Sequence, residues 1–253
     1  MRSQGLFYVR AGAHSAARVL GAAFLASLAV ALAGCSTDLK TAFQSFALIS
    51  QSGSSAVDHA ELAPKFRYLR ITFGPITEIF ALDRLETHPD GPIDVWYSYT
   101  RTVLRIQNGR LVGATGFLTE WRGVRLPNLP AWSKIAAASE PLRWERTRDL
   151  MPGYRFGIRD ELVLRSIPPP AKSALRQVDP HTLTWFEERS DSNPAALQGA
   201  ALPPARYAVS LSQGSETVVY AEQCLAPDLC LTWQSWSSEL QEANKLKVTR
   251  ARQ

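Results

Sequence analysis

The most specific chemistry in the chain belongs to its three cysteines. Cys35 ends the run Leu32-Ala33-Gly34-Cys35, which fits the lipobox of bacterial lipoproteins. Small residues at Ala33 and Gly34 let an extended segment enter a narrow peptidase site. The Cys35 thiol is then the nucleophile that can carry a diacylglycerol through a thioether. The alternative is a signal anchor, or an ordinary secretory leader with a chance cysteine. Each buried acyl CH₂ contributes about 0.8 kcal/mol, so several chains hold a protein on a membrane effectively for good. Ser36 rather than an aspartate follows, as in lipoproteins forwarded to an outer membrane.

The other two thiols, Cys224 and Cys230, flank Leu225-Ala226-Pro227-Asp228-Leu229, whose Pro-Asp pair favours a turn that brings the ends together. Outside the cytoplasm such a pair persists as a disulfide, and closing so short a loop stabilises by roughly 2.4 kcal/mol in the chain-entropy model. A metal site is the rival, but two thiols with no nearby histidine make a poor zinc pattern. We expect the disulfide.

A third group could bind rather than react. Trp96-Tyr97-Ser98-Tyr99 with Arg101, and Arg110 just beyond, would suit an acidic polysaccharide groove. Indole offers a flat apolar face to a sugar ring, and guanidinium offers a planar fork to carboxylate or phosphate. The chain carries 22 Arg against 6 Lys and seven Trp. Aromatic packing within sheets is the competing explanation, as is a general arginine bias.

Catalytic signatures are missing. There is no G-x-S-x-G elbow, G-x-G-x-x-G turn, Walker loop or H-E-x-x-H. His14 lies in the leader, His59 in a linker, and His88 and His181 beside turn prolines. Asp160-Glu161 and Glu187-Glu188 are adjacent, so in a strand each pair points to opposite faces. A cross-strand pair such as Asp160 with Glu188 remains open for a hydrolase, which needs two carboxylates about 5–10 Å apart. We expect no catalytic residues, no metal and no cofactor.

Residues 1–34 read as a signal segment, with a basic start and an apolar run from Val19 to Ala33. That run is shorter than the roughly 20 residues of a comfortable span. Residues 35–60 form a lipidated stretch in which Thr37 could cap a short helix with Leu39, Phe43, Phe46 and Ala47 on one face, followed by the linker Gln51 to Ser55. Residues 61–253 hold the folded domain and a C-terminal tail.

In that domain the hydrophobic period falls to two. Leu69, Ile71 and Phe73 alternate with Arg70 and Thr72, and similar runs follow at Ile76–Leu85, Ile93–Tyr99 and Arg101–Gln107. Asn108-Gly109 between β-rich runs signals a type I′ hairpin. Further runs are Gly116–Val124, Leu142–Thr147, Tyr154–Ile167, Leu183–Glu188, Tyr207–Leu211, Glu216–Gln223 and Leu231–Trp236, with proline spacers at 168–170 and 203–204. No βαβ alternation appears. The expectation is mainly β: one large antiparallel sandwich or partly closed barrel with short terminal helices.

Trp96-Tyr97-Ser98, Leu104, Asn108-Gly109-Arg110-Leu111-Val112 and Thr115-Gly116-Phe117 resemble the central motif of the YjbF/GfcB lipoproteins, the group 4 capsule and exopolysaccharide-operon lipoproteins. Arg146 to Leu150 with Pro152 to Gly157 is similar to a second stretch of that family. The Cys224–Cys230 loop, the Ala/Pro-rich segment from Asn193 to Ala205 and the basic tail after Leu240 depart from it. The resemblance implies an antiparallel β-protein anchored in the outer membrane, facing the periplasm and linked to polysaccharide production or export. It brings no catalytic residues.

The expected function is therefore non-enzymatic assistance to exopolysaccharide or capsule export, through binding of the polymer or of an outer-membrane export protein. A periplasmic polysaccharide-modifying hydrolase and a general envelope scaffold are the alternatives. Partners are membrane lipid through acylated Cys35, then an anionic polysaccharide or an export protein, and no nucleic acid. Net charge offers little guidance. The leader holds Arg2, Arg10 and Arg18 and no acid, so the formal +5 falls to +2 without it. Anion binding must come from local placement of arginine.

Overall fold

A computed structural model describes residues 57–58, 60–192, 197, 201–212 and 214–237. The lipobox with Cys35, the helix expected after Thr37, His14, His59 and the tail after Leu240 lie outside the described residues.

The β-alternation produces twelve strands: β1 (Tyr68–Phe73), β2 (Ile76–Glu86), β3 (Ile93–Ser98), β4 (Val103–Gln107), β5 (Arg110–Thr115), β6 (Glu120–Arg125), β7 (Leu142–Met151), β8 (Arg155–Ile167), β9 (Thr184–Ser190), β10 (Ala205–Ser212), β11 (Ser215–Ala226) and β12 (Leu229–Trp236). Each pairs antiparallel with its neighbours in sequence, and β1 pairs with β12. The sheet is thus one closed antiparallel ring. The expectation of a mainly β, antiparallel fold holds, and closure is complete where the sequence suggested a partial barrel. Tyr68 lies opposite Trp236 and Phe73 opposite Leu231 across the seam.

Closure removes the unpaired edges that an open sheet exposes. It also fixes the ends. Because consecutive strands alternate in direction, the β1–β2, β3–β4, β5–β6, β7–β8 and β11–β12 turns share one end. The β2–β3, β4–β5 and β10–β11 turns share the other, together with the start of β1 and the finish of β12.

The core lies inside. Leu104, Leu111, Ala114, Trp121, Leu164, Phe186, Tyr207, Val209, Ala221 and Trp233 are buried together. The β6–β7 connection adds a short helix, α1 (Trp132–Ala137), which tucks Trp132 and Ile135 into this core and touches β8 and β10. The local sequence marks no element there. Six residues are too few to show a helical period, and the helix is held by tertiary packing. The indole of Trp132 lies 5.0 Å from the rings of both Phe186 and Tyr207.

The ring is flattened where β4–β5 leans across to β11. Asn108 and Gly109 both have positive φ, 46° and 76°, as the type I′ turn requires. Gly109 has a second reason to be glycine: a Cβ there would stand 2.2 Å from Val218 Cγ2. Outward-facing arginines pair with acids within and across strands. Glu187 accepts from Arg165 at 3.0 Å and from Arg189 at 2.6 Å, while Arg206 reaches Glu222 at 3.5 Å. Cys224 and Cys230 face each other across β11 and β12 and form the expected disulfide.

Candidate functional site

The five binding residues expected from sequence do not meet in one groove. Trp96 is buried on β3. Tyr97 is half-buried beside Arg84. Tyr99 and Arg101 are exposed in the β3–β4 turn, with Arg101 at φ 66°. Arg110 is 1% exposed. The reason is positional: Arg110 follows the turn glycine directly, and the leaning hairpin carries it into the core, where Trp132 waits.

Arg110 belongs to a buried polar chain. Its guanidinium stands over the rings of Trp132, at 3.8 Å, Trp144 and Tyr207, and its Nε lies 3.5 Å from Glu188. Glu188 also accepts from Arg146 at 3.5 Å. Arg146 donates to Asp160 at 2.8 Å, and Arg148 holds the same carboxylate through two nitrogens. Both Arg146 and Arg148 lie over the Trp121 ring. Asp160 and Glu188, the cross-strand acids that could have served a hydrolase, are therefore joined through a guanidinium. Burial alone would raise the Asp160 carboxyl, but Arg148 and Arg146 overcome it and hold the carboxyl below its ordinary range. Desolvation pushes the Arg110 guanidinium downward, and Glu188 opposes that shift. This chain binds the core together and offers no opening at Arg110.

An opening exists at the end of the ring that carries the β4–β5 turn. A cleft of about 260 Å³ lies among Trp96, Trp233, Arg67, Asp94, Glu216 and Ser235, bordered by Pro92 and the Asn108-Gly109 turn. Five strands or their margins supply it: β1, β3, β4, β11 and β12. Trp96 and Trp233 are buried at its floor, while a cation, two carboxylates and small hydroxyl and amide groups face its opening.

Its electrostatics are uneven. Arg67 lies over the Trp96 ring at 5.5 Å and donates to Asp94 at 3.4 Å. Burial nevertheless raises the Asp94 carboxyl above its ordinary value, with Arg67 working against it. For Glu216 the balance runs the other way. Burial would raise it, but donation from Ser133 and the Trp132 amide brings it below the ordinary value. Its two oxygens accept the backbone amides of Trp132 and Ser133, each at 2.9 Å, so it caps the start of α1. Trp132 also donates its indole N–H to the Asn108 carbonyl at 3.2 Å. Helix, hairpin and cleft wall are thereby locked to one another.

Of the sequence-expected residues, Trp96 lines this cleft. Arg67, Asp94, Glu216, Trp233 and Ser235 were missed because they converge only through ring closure. Among the described residues no three His, Cys, Asp or Glu side chains converge to hold a metal ion. No described helix is long and apolar enough to cross a membrane.

No family model and no curated protein matches the sequence. Among solved structures, the fold is similar to the crystal structure of the hypothetical lipoprotein YmcC from Escherichia coli (K12). The TM-score is 0.50 at 14% sequence identity, covering 79% of this chain and 95% of that one. The likeness is one of fold.

Proposed function

We propose that the protein is a lipid-anchored lipoprotein of the bacterial envelope, held on the outer membrane and facing the periplasm, which assists exopolysaccharide or capsule export by binding polymer without cleaving it. The observation that carries this reading is the open-ended cleft that presents Arg67, Asp94, Glu216 and Ser235 above the buried rings of Trp96 and Trp233. Supporting it are the lipobox at Leu32–Cys35 and a fold shared with a chain described as a lipoprotein. Of the two carboxylates in the cleft, Glu216 is engaged through both oxygens by α1. That favours binding over hydrolysis.

The test is titration of the full-length protein in detergent with acidic oligosaccharides, read by tryptophan fluorescence and calorimetry. Arg67→Ala, whose side chain is largely solvent-exposed, should weaken binding about tenfold, the loss of one charge-assisted contact. No binding by the unaltered protein to any acidic or neutral glycan would overturn the polymer reading in favour of a scaffold.

A second reading rests on Asp94 and Glu216 lining one cleft, since a glycosidase works with two carboxylates facing one bond. New reducing ends released by the protein, and abolished in Asp94→Asn, would establish hydrolysis instead.

A further inference from the structure

The ring end opposite the cleft carries most of the exposed large hydrophobic residues. Ile76 follows the β1–β2 turn, Tyr99 sits in the β3–β4 turn, Leu118 in the β5–β6 loop, and Tyr154 and Phe156 in and beside the β7–β8 hairpin. Leu118 is 90% exposed, Tyr154 71% and Phe156 66%. Single exposed apolar residues are ordinary, but large ones gathered at the tips of successive turns mark a contact surface.

These turns are held as a set. Phe73, which ends β1, meets Phe117 of the β5–β6 loop edge-on at 5.2 Å. A Cβ on Gly116 would lie 3.2 Å from Thr102 Cα, so that loop packs against the β3–β4 turn. The Tyr154 and Phe156 rings lie 6.5 Å apart. Tyr154 also has φ 54°, in the left-handed region that an aromatic residue occupies at a cost. The cost is borne where its ring faces solvent.

This end also carries two cations that can meet phosphate, Arg101 and Arg155, beside the exposed Asp228 of the β11–β12 turn. Arg101 and Arg155 have no carboxylate partner among the described residues; Arg155 donates instead to the Leu197 carbonyl at 2.7 Å. Beside Arg155 a hollow of about 210 Å³ is walled by Leu150, Met151, Pro152, Leu225 and Pro227. Apolar tips flanked by cations are the composition of surfaces that settle at the headgroup boundary of a bilayer.

We infer that this rim docks on the phospholipid surface, standing the ring upright with its cleft turned away from the membrane. The inference rests on the lipid-anchor reading for one argument. Cys35 precedes Val57, the first described residue, by 22 positions, and an extended chain of that length reaches at most about 75 Å. The anchor can therefore be tied at the membrane while the rim lies against it. A bilayer is the occupant that matches apolar tips, unpaired cations and a tether together.

The experiment uses full-length protein in phosphatidylethanolamine/phosphatidylglycerol vesicles, carrying a nitrobenzoxadiazole label at Leu118→Cys or, at the cleft end, at Asp90→Cys. With Cys35 acylated and Cys224 bonded to Cys230, the new thiol is the one that reacts. Quenching by doxyl lipids should be about threefold stronger at position 118 than at position 90, and Phe156→Asp with Tyr154→Asp should abolish the difference. Equal quenching at both positions overturns the inference, as does a label at 118 buried against a second protein. Mass spectrometry of the Cys35 peptide reads the anchor separately. Acylated Cys35 with a water-exposed label at 118 removes the rim inference alone. Absent acylation removes the anchor, and a label still quenched in such vesicles leaves the rim standing by itself.

Discussion

Arg148 grips Asp160 with a two-point fork, Nε to one carboxylate oxygen at 2.7 Å and Nη2 to the other at 3.0 Å, in a core from which water is shut out. The same carboxylate accepts from Arg146. Two guanidiniums thus depend on one acid, with Glu188 as a second support for Arg146.

Replacing Asp160 by Asn should destabilise the fold by about 3–5 kcal/mol, because it leaves buried positive charge uncompensated. Urea unfolding at neutral pH measures this. The pH dependence has a defined sign. The folded carboxyl titrates below its ordinary value, so its contribution is fully present above the unfolded value near about 4 and is lost as pH falls through the folded value. The unaltered protein should lose stability on acidification in that window, and Asp160→Asn should show a flatter curve there.

Gly109→Ala should cost at least about 2 kcal/mol, combining a left-handed backbone with the contact on Val218. The double variant with Val218→Ala should recover part of the loss, since it opens the space that the new methyl needs. A double-mutant cycle in urea separates the two contributions. Full additivity would mean that the hairpin does not press on β11.

Glu216→Ala removes both acceptors from the start of α1 and should cost about 1 kcal/mol, the ordinary value of a lost cap. Trp132 should report the change as a shift in its fluorescence. The Glu216 carboxyl is held below its ordinary value, so its contribution also disappears as pH falls through the acid range.

Reduction of Cys224–Cys230 should lower stability by about 2 kcal/mol while leaving the ring folded. Urea midpoints with and without dithiothreitol test this. The turn at Pro227-Asp228 and the strand pairing on either side persist without the bond.

Strands were legible in the sequence because one face of each is buried, which stamps a period of two on the residues. Asn108-Gly109 announced its turn type for the same local reason. The Gly116–Val124 run reads as one continuous strand, yet β5 ends at Thr115 and β6 begins at Glu120, with the rim loop between. A strand and a short apolar loop carry similar residues, so nothing local separates them. Arg110 reads as a binding residue of a groove because arginine beside a turn usually lies at a surface. Its burial depends on Trp132 and Glu188, 22 and 78 positions away. The cleft was less legible still. Arg67 and Ser235 come to one opening only when the first strand meets the last.

That meeting of β1 with β12 sets the timing of assembly. A chain emerging from its N-terminus carries an unpaired β1 edge until residues near Trp236 are out, since Tyr68 has no other strand on that side. The ring therefore completes only with the arrival of its final strand. Contacts so distant in sequence make folding slow, and slow folding keeps a chain threadable. A ring built this way stays open until its last strand arrives and locks only then.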